Sequence, residues 1–235
     1  MRLDKFICEC SGLSRKEAAS YAKRGLVTLN DLPVRDLSVH VDEYSAKVRL
    51  AGEELVYEKY VYVMLNKPDG YVSATEDTRF PVVTELLSEK LQKKELFPVG
   101  RLDKDTLGLM ILTNNGKLAH ALLSPKRHCE KKYFFRAAEP LAMGAEEMFE
   151  KGIILSDGYE CKSAVLSLDV DRQSGVITLT EGKYHQIKRM LGALGNKITY
   201  LERISFAGIL LDSSLARGEY RPLSEGELAL LEKYN

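Results

Sequence analysis

Leu107–Leu112 reads Leu-Gly-Leu-Met-Ile-Leu, a run that only a protein interior can accommodate. So short and apolar a run reads as a buried strand, and its flanks fix the path of the chain on both sides. Ahead of it stand Phe97-Pro98 and then Gly100-Arg101-Leu102-Asp103. Behind it stand Thr113-Asn114-Asn115-Gly116, where Asn and Gly tolerate positive φ and turn the chain. Arg101 and Asp103 are therefore held beside a rigid element, where a side chain can be positioned accurately. Spacing alone leaves two readings open. Asp103 is a functional carboxylate, or it is a turn residue with Arg101 as its solvated neighbour.

A chain of 235 residues holds one medium domain, or a small one and a larger one, and 45% hydrophobic content suffices for a core of that size. The 34 basic and 34 acidic residues cancel, so a nucleic-acid partner would have to be met by local clusters of cations. Residue 2 is already Arg and no apolar signal segment follows, so a cytoplasmic location is expected. No apolar run approaches the length of a membrane span, so no membrane partner is expected. Cys8, Cys10, Cys129 and Cys161 are too few and too scattered for a disulfide framework, and Cys8-x-Cys10 lacks zinc-site spacing. With four His in no ligand-like arrangement, no metal is expected.

Leu3, Phe6, Ile7 and Cys10 fall on one helical stripe, interrupted at Gly12. Ser14 and Glu17 form a capping box for a second helix that should run to Arg24 and stop at Gly25. Lys16 and Lys23 share a face of that helix, flanked by Arg15 and Arg24. Val27–Val34 reads as a hairpin turning at Asn30-Asp31. Residues 1–35 carry seven Lys/Arg against four acids, and residues 36–60 carry three against six. This asymmetry suits a small RNA-facing module followed by an acidic connection, with Ala51–Tyr60 as the linker and a domain boundary between residues 58 and 59.

Tyr60–Leu65 begins a new strand, and Asn66–Gly70 reads as a turn that supports the sheet without taking part in chemistry. Lys117–Leu123 should be a short helix ending at Ser124-Pro125. Between Lys117 and Arg136 lie six Lys/Arg against Glu130 alone, with Tyr133, Phe134 and Phe135 interleaved. Cations with aromatics suit RNA, since rings stack on unpaired bases. The same residues also read as a strand, with Phe134 or Phe135 entering a core and Tyr133 facing a site. Pro140–Glu150 reads as an acidic helix, Cys161–Val170 and Gly175–Thr180 as strands. Lys183–Gly195 reads as a helix burying Ile187, Met190, Leu191 and Leu194, with His185 as a structural histidine because no partner arrangement points to it, a general base being the other reading. Ile198–Leu211 carries strand signal and Leu223–Leu231 a closing helix.

Four ordered segments resemble the RsuA-type pseudouridine synthases. They are GRLDKDTLGL around Asp103, KRHCEKKY ending at Tyr133, EGKYHQIKRMLGALGN around Lys188, and an N-terminal stretch similar to S4-like RNA-binding modules. The resemblance runs end to end. It implies an α+β fold: an S4-like module at 1–58, then a catalytic domain at 59–235 on a mixed, mostly antiparallel sheet. It implies an isomerase that converts a ribosomal RNA uridine to pseudouridine without cofactor or metal. Asp103 is then the nucleophile, Tyr133 the ring that stacks on the base, and Lys188 the cation paired with Asp103, with Arg189 as the alternative partner. Arg101 would help displace the target base. Arg15, Lys16, Lys23, Arg24, Lys131, Lys132 and Arg189 would meet RNA. Ser124–Tyr133 and Gly195–Arg203 are most similar to the branch acting on 16S rRNA, so the expected partner is that RNA or the assembling small subunit, met by a monomer.

Carboxylate chemistry fits this reaction, because a carboxylate can add to C1′ or stabilise charge there, as in retaining glycoside chemistry. A partly buried carboxylate needs a cation to stay ionised. Three other readings stand beside it: a 23S rRNA enzyme of a sister branch, a non-catalytic RNA-binding or ribosome-assembly factor, and a carboxylate-dependent glycoside hydrolase. The last lacks a second carboxylate marked out as general acid.

Overall fold

The computed structural model describes residues 1–234 of the chain. They form two compact units: Met1–Val61 with Ser88–Glu95, and Tyr62–Leu87 with Leu96 onward. The first unit is thus not contiguous in sequence.

In the first unit, α1 (Leu3–Ser11) buries Leu3, Phe6 and Ile7 and ends at Gly12, whose φ of 77° relieves the strain a side chain would meet there. α2 (Arg15–Lys23) opens on the capping box: Ser14 accepts from the Glu17 amide while the Glu17 carboxylate accepts from the Ser14 amide. Ala18 and Ala22 are its buried face, which lets α1 approach closely. Strands β1 (Val27–Leu29) and β2 (Leu32–Pro33) form the expected hairpin, with Asn30 and Asp31 at φ 50° and 66°, the left-handed pair that a two-residue turn demands. β3 (Val48–Leu50) and β4 (Glu53–Leu55) complete a four-stranded sheet in the order β2-β1-β3-β4. The linker expected at Ala51–Tyr60 therefore gives way to a hairpin turn at Ala51-Gly52 and a paired strand. Its Glu53 and Glu54 lie exposed on an edge strand, a solvated position that composition cannot tell from a linker. The Ser88–Glu95 segment adds a single helical turn, α3 (Glu89–Gln92), and its Lys93 and Lys94 donate to the carbonyls of Gly12 and Glu9 at the α1 C-terminus.

The second unit carries nine strands. β5 (Tyr62–Lys67), β6 (Phe97–Pro98), β7 (Leu107–Thr113), β8 (Lys131–Ala137), β9 (Val165–Leu168) and β10 (Ser174–Leu179) are followed by β11 (Ile198–Phe206), β12 (Ile209–Leu210) and β13 (Tyr220–Pro222). The order is β13-β5-β7-β11-β8-β10-β9, with β6 on β7 and β12 on β11. Among the named strands of the described residues only β7 and β11 pair parallel, so the unit is α+β on a mixed, mostly antiparallel sheet. Helices α4 (Gly116–Leu123), α5 (Ala145–Lys151), α6 (Gln186–Ala193) and α7 (Glu225–Glu232) accompany it. Met64, Leu109, Ile111, Leu118, Leu122 and Phe206 share one core, joining the middle of the sheet to α4.

Four elements differ from expectation in where they begin or end. β5 continues through Asn66 and Lys67, both buried, so the turn begins only at Pro68. α5 starts at Ala145 because Gly144, at φ 87°, stands outside the helix, and β9 starts at Val165. α6 starts at Gln186, since His185 takes φ 47° and breaks the helical path from Lys183.

β7 and β11 carry the site, and Gly108 is what lets them approach. At φ 95° its absent side chain leaves room for the Arg203 carbonyl, with which a Cβ would collide.

Candidate active site

Asp103 lies in the loop between β6 and β7, and this loop is tied down from several sides. Ser73 Oγ donates to the Leu102 carbonyl at 2.9 Å and accepts from the Leu102 amide at 3.0 Å. The Thr106 amide donates to the Asp103 carbonyl at 3.0 Å. Lys67, fully buried, donates from Nζ to the carbonyls of Pro68, Lys104 and Thr106 at 3.1, 2.9 and 2.9 Å. Burial drives its ammonium down to about 8, against the pull of Asp69, Asp105 and Asp103. The expectation that the Asn66–Gly70 segment only supports the sheet thus needs amending: its lysine clamps the loop that presents Asp103.

Opposite the loop, α6 brings up Lys188. Its Nζ stands 3.4 Å from Asp103 Oδ2 and 2.5 Å from Asp105 Oδ1. Burial pushes the Asp105 carboxyl up, but the Lys188 hydrogen bond and charge outweigh it and hold the group below its ordinary value. With an ammonium already between the two carboxylates, the pair is poorly suited to a metal ion. His185 Nε2 is 3.6 Å from Asp103 Oδ1, and its ring stacks on Tyr184 at 3.8 Å. The structural role expected for His185 is therefore corrected: it borders the carboxylate, placed there by the left-handed turn that starts α6 late. Gln186 fixes this turn. It donates to Glu181 at 2.6 Å and accepts from the Lys183 amide at 2.9 Å. Glu181, 8% exposed, also accepts from Tyr159 Oη and the Lys162 amide.

Asp103, His185, Glu181, Tyr159 and Lys162 border a cavity of about 880 Å³ whose lining also includes Arg101, Lys131, Tyr133, Lys183 and Arg203. The volume suits a nucleotide-sized ligand. Strand alternation sorts the Lys131–Phe135 run: Lys131 and Tyr133 border the cavity and Phe135 is fully buried, while Lys132 points to the other face and pairs with Glu130 at 3.3 Å. Lys132 therefore does not join the site, and Phe135 rather than Phe134 enters the core. Arg189 does not reach Asp103; it pairs with Asp157, leaving Lys188 as the partner. Arg15, Lys16, Lys23 and Arg24 are all exposed on or beside α2 in the first unit. Reasoning from sequence missed Asp105, Glu181, Lys67 and Arg203. Only their buried or bridging positions reveal them.

The family model for RNA pseudouridylate synthase matches residues 61–193. An uncharacterized RNA pseudouridine synthase of Bacillus subtilis, YtzG, is 42% identical over 99% of both chains. The ribosomal small subunit pseudouridine synthase A of Escherichia coli is 41% identical over 97% of this chain and 99% of its own. A crystal structure of a pseudouridylate synthase superposes with a TM-score of 0.70 at 38% identity, over 98% of this chain and 99% of that one. The chain belongs to the RNA pseudouridine synthase family and is an isomerase of the RsuA type.

Proposed function

We propose that this chain isomerises a uridine of ribosomal RNA to pseudouridine, with Asp103 as the nucleophile. The observation that carries the reading is the Lys188 ammonium 3.4 Å from a loop-clamped Asp103, beside a nucleotide-sized cavity bordered by Tyr133. The ammonium offsets the charge of the carboxylate in a partly enclosed site. The target nucleotide leaves its stack and enters the cavity, with Arg101 at the entrance filling the space it vacates. Its base lies against Tyr133 while Asp103 attacks or stabilises C1′ as the C1′–N1 bond breaks. The base then turns and C5 joins C1′. No group is gained or lost overall, so the reaction needs no cofactor.

The exposed cations of the first unit, Arg15, Lys16, Lys23 and Arg24, supply a surface for the RNA backbone, which makes this unit an RNA-binding module. The small-subunit name carried by the Escherichia coli relative favours 16S rRNA, free or in an assembling small subunit, over 23S rRNA.

The test is site-resolved pseudouridine mapping of 16S and 23S rRNA from cells with and without the gene. One 16S site should vanish, and return with the wild type but not with Asp103→Asn, while the purified variant still binds the RNA. A 23S site would move the chain to the sister branch. An unchanged map of both RNAs would favour the RNA-binding-factor reading, and loss of binding along with activity in Asp103→Asn would count against the nucleophile.

A further inference from the structure

Arg203 is the largest fully buried side chain among the described residues, 2% exposed on the central strand β11, and it borders the cavity. An arginine guanidinium is a permanent cation. Burying such a charge without an anion costs several kcal/mol, and nearly every buried arginine has a carboxylate beside it. Arg203 has none. Nε donates to the Leu109 carbonyl at 2.7 Å, Nη2 points at Met110 Sδ at 3.8 Å, and the Phe206 ring lies 4.9 Å from the guanidinium carbon. These partners are neutral, and they leave guanidinium N–H groups without a protein acceptor.

The surroundings deepen the imbalance. Burial lowers the ammonium of Lys131, another cavity residue, and the Arg203 charge lowers it further, against the pull of Cys129 and Glu181. Lys67 sits within range of the same charge. The carboxylates of the cavity are engaged elsewhere, Asp103 with Lys188 and Glu181 with Tyr159, Lys162 and Gln186, so the anion that Arg203 lacks lies on the ligand side. The cross-strand partner of Arg203 is Tyr133, so the two side chains are neighbours on one face of the sheet.

The position also says which part of a nucleotide that anion belongs to. A phosphodiester stays tethered to the chain on both sides and remains at the mouth of the cavity. The base is the free end of an extruded nucleotide and is what can reach a side chain this deep. Resting on the function proposed above, we infer that Arg203 is a further catalytic residue, which holds the negative charge of the uracil ring as it detaches. When C1′–N1 breaks, the bonding pair leaves on N1 and spreads to O2 and O4, while Asp103 supplies a pair to C1′. The base turns, the C5 pair forms the bond to C1′, and the carboxylate regains its own pair. C5 then loses its proton and N1 gains one, so the product is an isomer of the substrate. The uracil oxygens are weak acceptors in the intact nucleoside and strong ones in the detached anion. The interaction therefore grows toward the transition state, which is the condition for accelerating the step.

The test uses the full chain and a fragment of the rRNA found by mapping, carrying either uridine or 5-fluorouridine at the target. Fluorine stabilises the ring anion, so a site that has lost its own stabiliser should gain more from it. In single-turnover reactions Arg203→Gln should slow conversion of the uridine RNA about 100-fold, the usual cost of one oxyanion donor, with the RNA Kd unchanged. With 5-fluorouridine, followed as loss of the intact nucleotide, the deficit should shrink to about 10-fold on the same scale. Arg203→Lys should fall between wild type and Arg203→Gln. An equal deficit with both RNAs, a defect confined to Kd, or an unchanged rate would overturn the inference. If Arg203→Gln fails to fold, judged by circular dichroism, the ratio of the two RNAs in Arg203→Lys decides in the same way. A wild-type enzyme that forms no pseudouridine in this assay would instead defeat the proposed function.

Discussion

The two units treat charge in opposite ways. The first packs Leu3, Phe6, Ile7, Ala18, Ala22, Val27 and Val48 into an apolar core, and among its described residues Asp4 is the one buried charge. Its cations on α2 all face outward. The second unit buries Lys67, Glu181 and Arg203. Holding a phosphate backbone requires only attraction through water, and a solvated helix face supplies it at no cost to folding. Breaking one bond requires charges removed from water at fixed positions, where each interacts more strongly and costs more to install. The second unit meets that cost with hydrogen bonds, three to the ammonium of Lys67 and three to the carboxylate of Glu181.

The largest expected effect strikes the half-buried ion pair that Asp103 and Lys188 form in the second unit. Lys188→Met leaves Asp103 without its ammonium, and pseudouridine formation should fall about 1000-fold in single-turnover assays while RNA affinity stays within about twofold. Lys188→Arg should recover most of the rate, since it restores the charge at similar reach. A Lys188→Met enzyme of near-normal rate would break the contrast between the units, because a neutral site would then perform the reaction.

Lys67→Met comes next. It strips the donor from three buried carbonyls, and stability in urea should fall by about 2 kcal/mol at pH 7. The effect depends on pH in a definite direction. Folded Lys67 releases its proton near 8, whereas an unfolded lysine does so near 10.5. Below 8 the folded protein bears the full penalty of the buried charge. Between 8 and 10.5 the unfolded chain binds more protons, so that penalty is relieved as the pH rises. Wild type should therefore gain on Lys67→Met by up to about 3 kcal/mol over this window. A difference that stays flat from pH 7 to pH 10 would show that Lys67 is not held charged in a dry environment.

A smaller effect is expected on the solvated side. Lys16→Ala with Lys23→Ala should weaken rRNA binding about tenfold at low salt and flatten the slope of log K against log salt by roughly 1.5, with the single-turnover rate on saturating RNA unchanged. A change in rate with no change in slope would reverse the assignment of binding to the first unit and chemistry to the second.

The same division governs what could be read from the chain. Local rules sufficed for Ser14 and Glu17, for the Asn30-Asp31 turn, and for the loop that delivers Asp103 to β7, because each depends on a few neighbouring residues. The α+β class followed from strand signals and from the resemblance together. The rest of the site depends on long-range meetings. Lys67 reads as part of a polar turn, and only β5 running on beneath residues 104–106 makes it a buried clamp. His185 reads as a helical residue, and its left-handed φ follows from Gln186 being drawn onto Glu181. Arg203 looks like an ordinary polar residue in a strand. Its burial is set by Gly108, which lets β7 press against β11 some ninety-five residues later in the chain. Polar residues in apolar surroundings are the ones whose partners sequence periodicity cannot supply.

The smallest effect tests whether the two units are energetically separate. Ser14 accepts from the Glu17 amide at 3.3 Å, and Glu17 accepts from the Ser14 amide at 2.7 Å and from the Ser14 hydroxyl. Ser14→Ala removes one arm of this box and leaves the Glu17 amide to water, which should cost about 1 kcal/mol. The Ser14 hydroxyl also holds the Glu17 carboxyl below its ordinary value, so the box contributes fully at neutral pH and fades as the pH falls through the acid range and Glu17 takes a proton. If the first unit folds as its own cooperative body, hydrogen exchange should quicken in α2 and the strands it covers, with exchange in β7, β8 and β11 unaltered and the single-turnover rate unchanged. Faster exchange spread equally over both sheets would mean that the apolar unit and the charged one share a single unfolding event. The stability of the first unit would then help to offset the cost of the charges buried in the second.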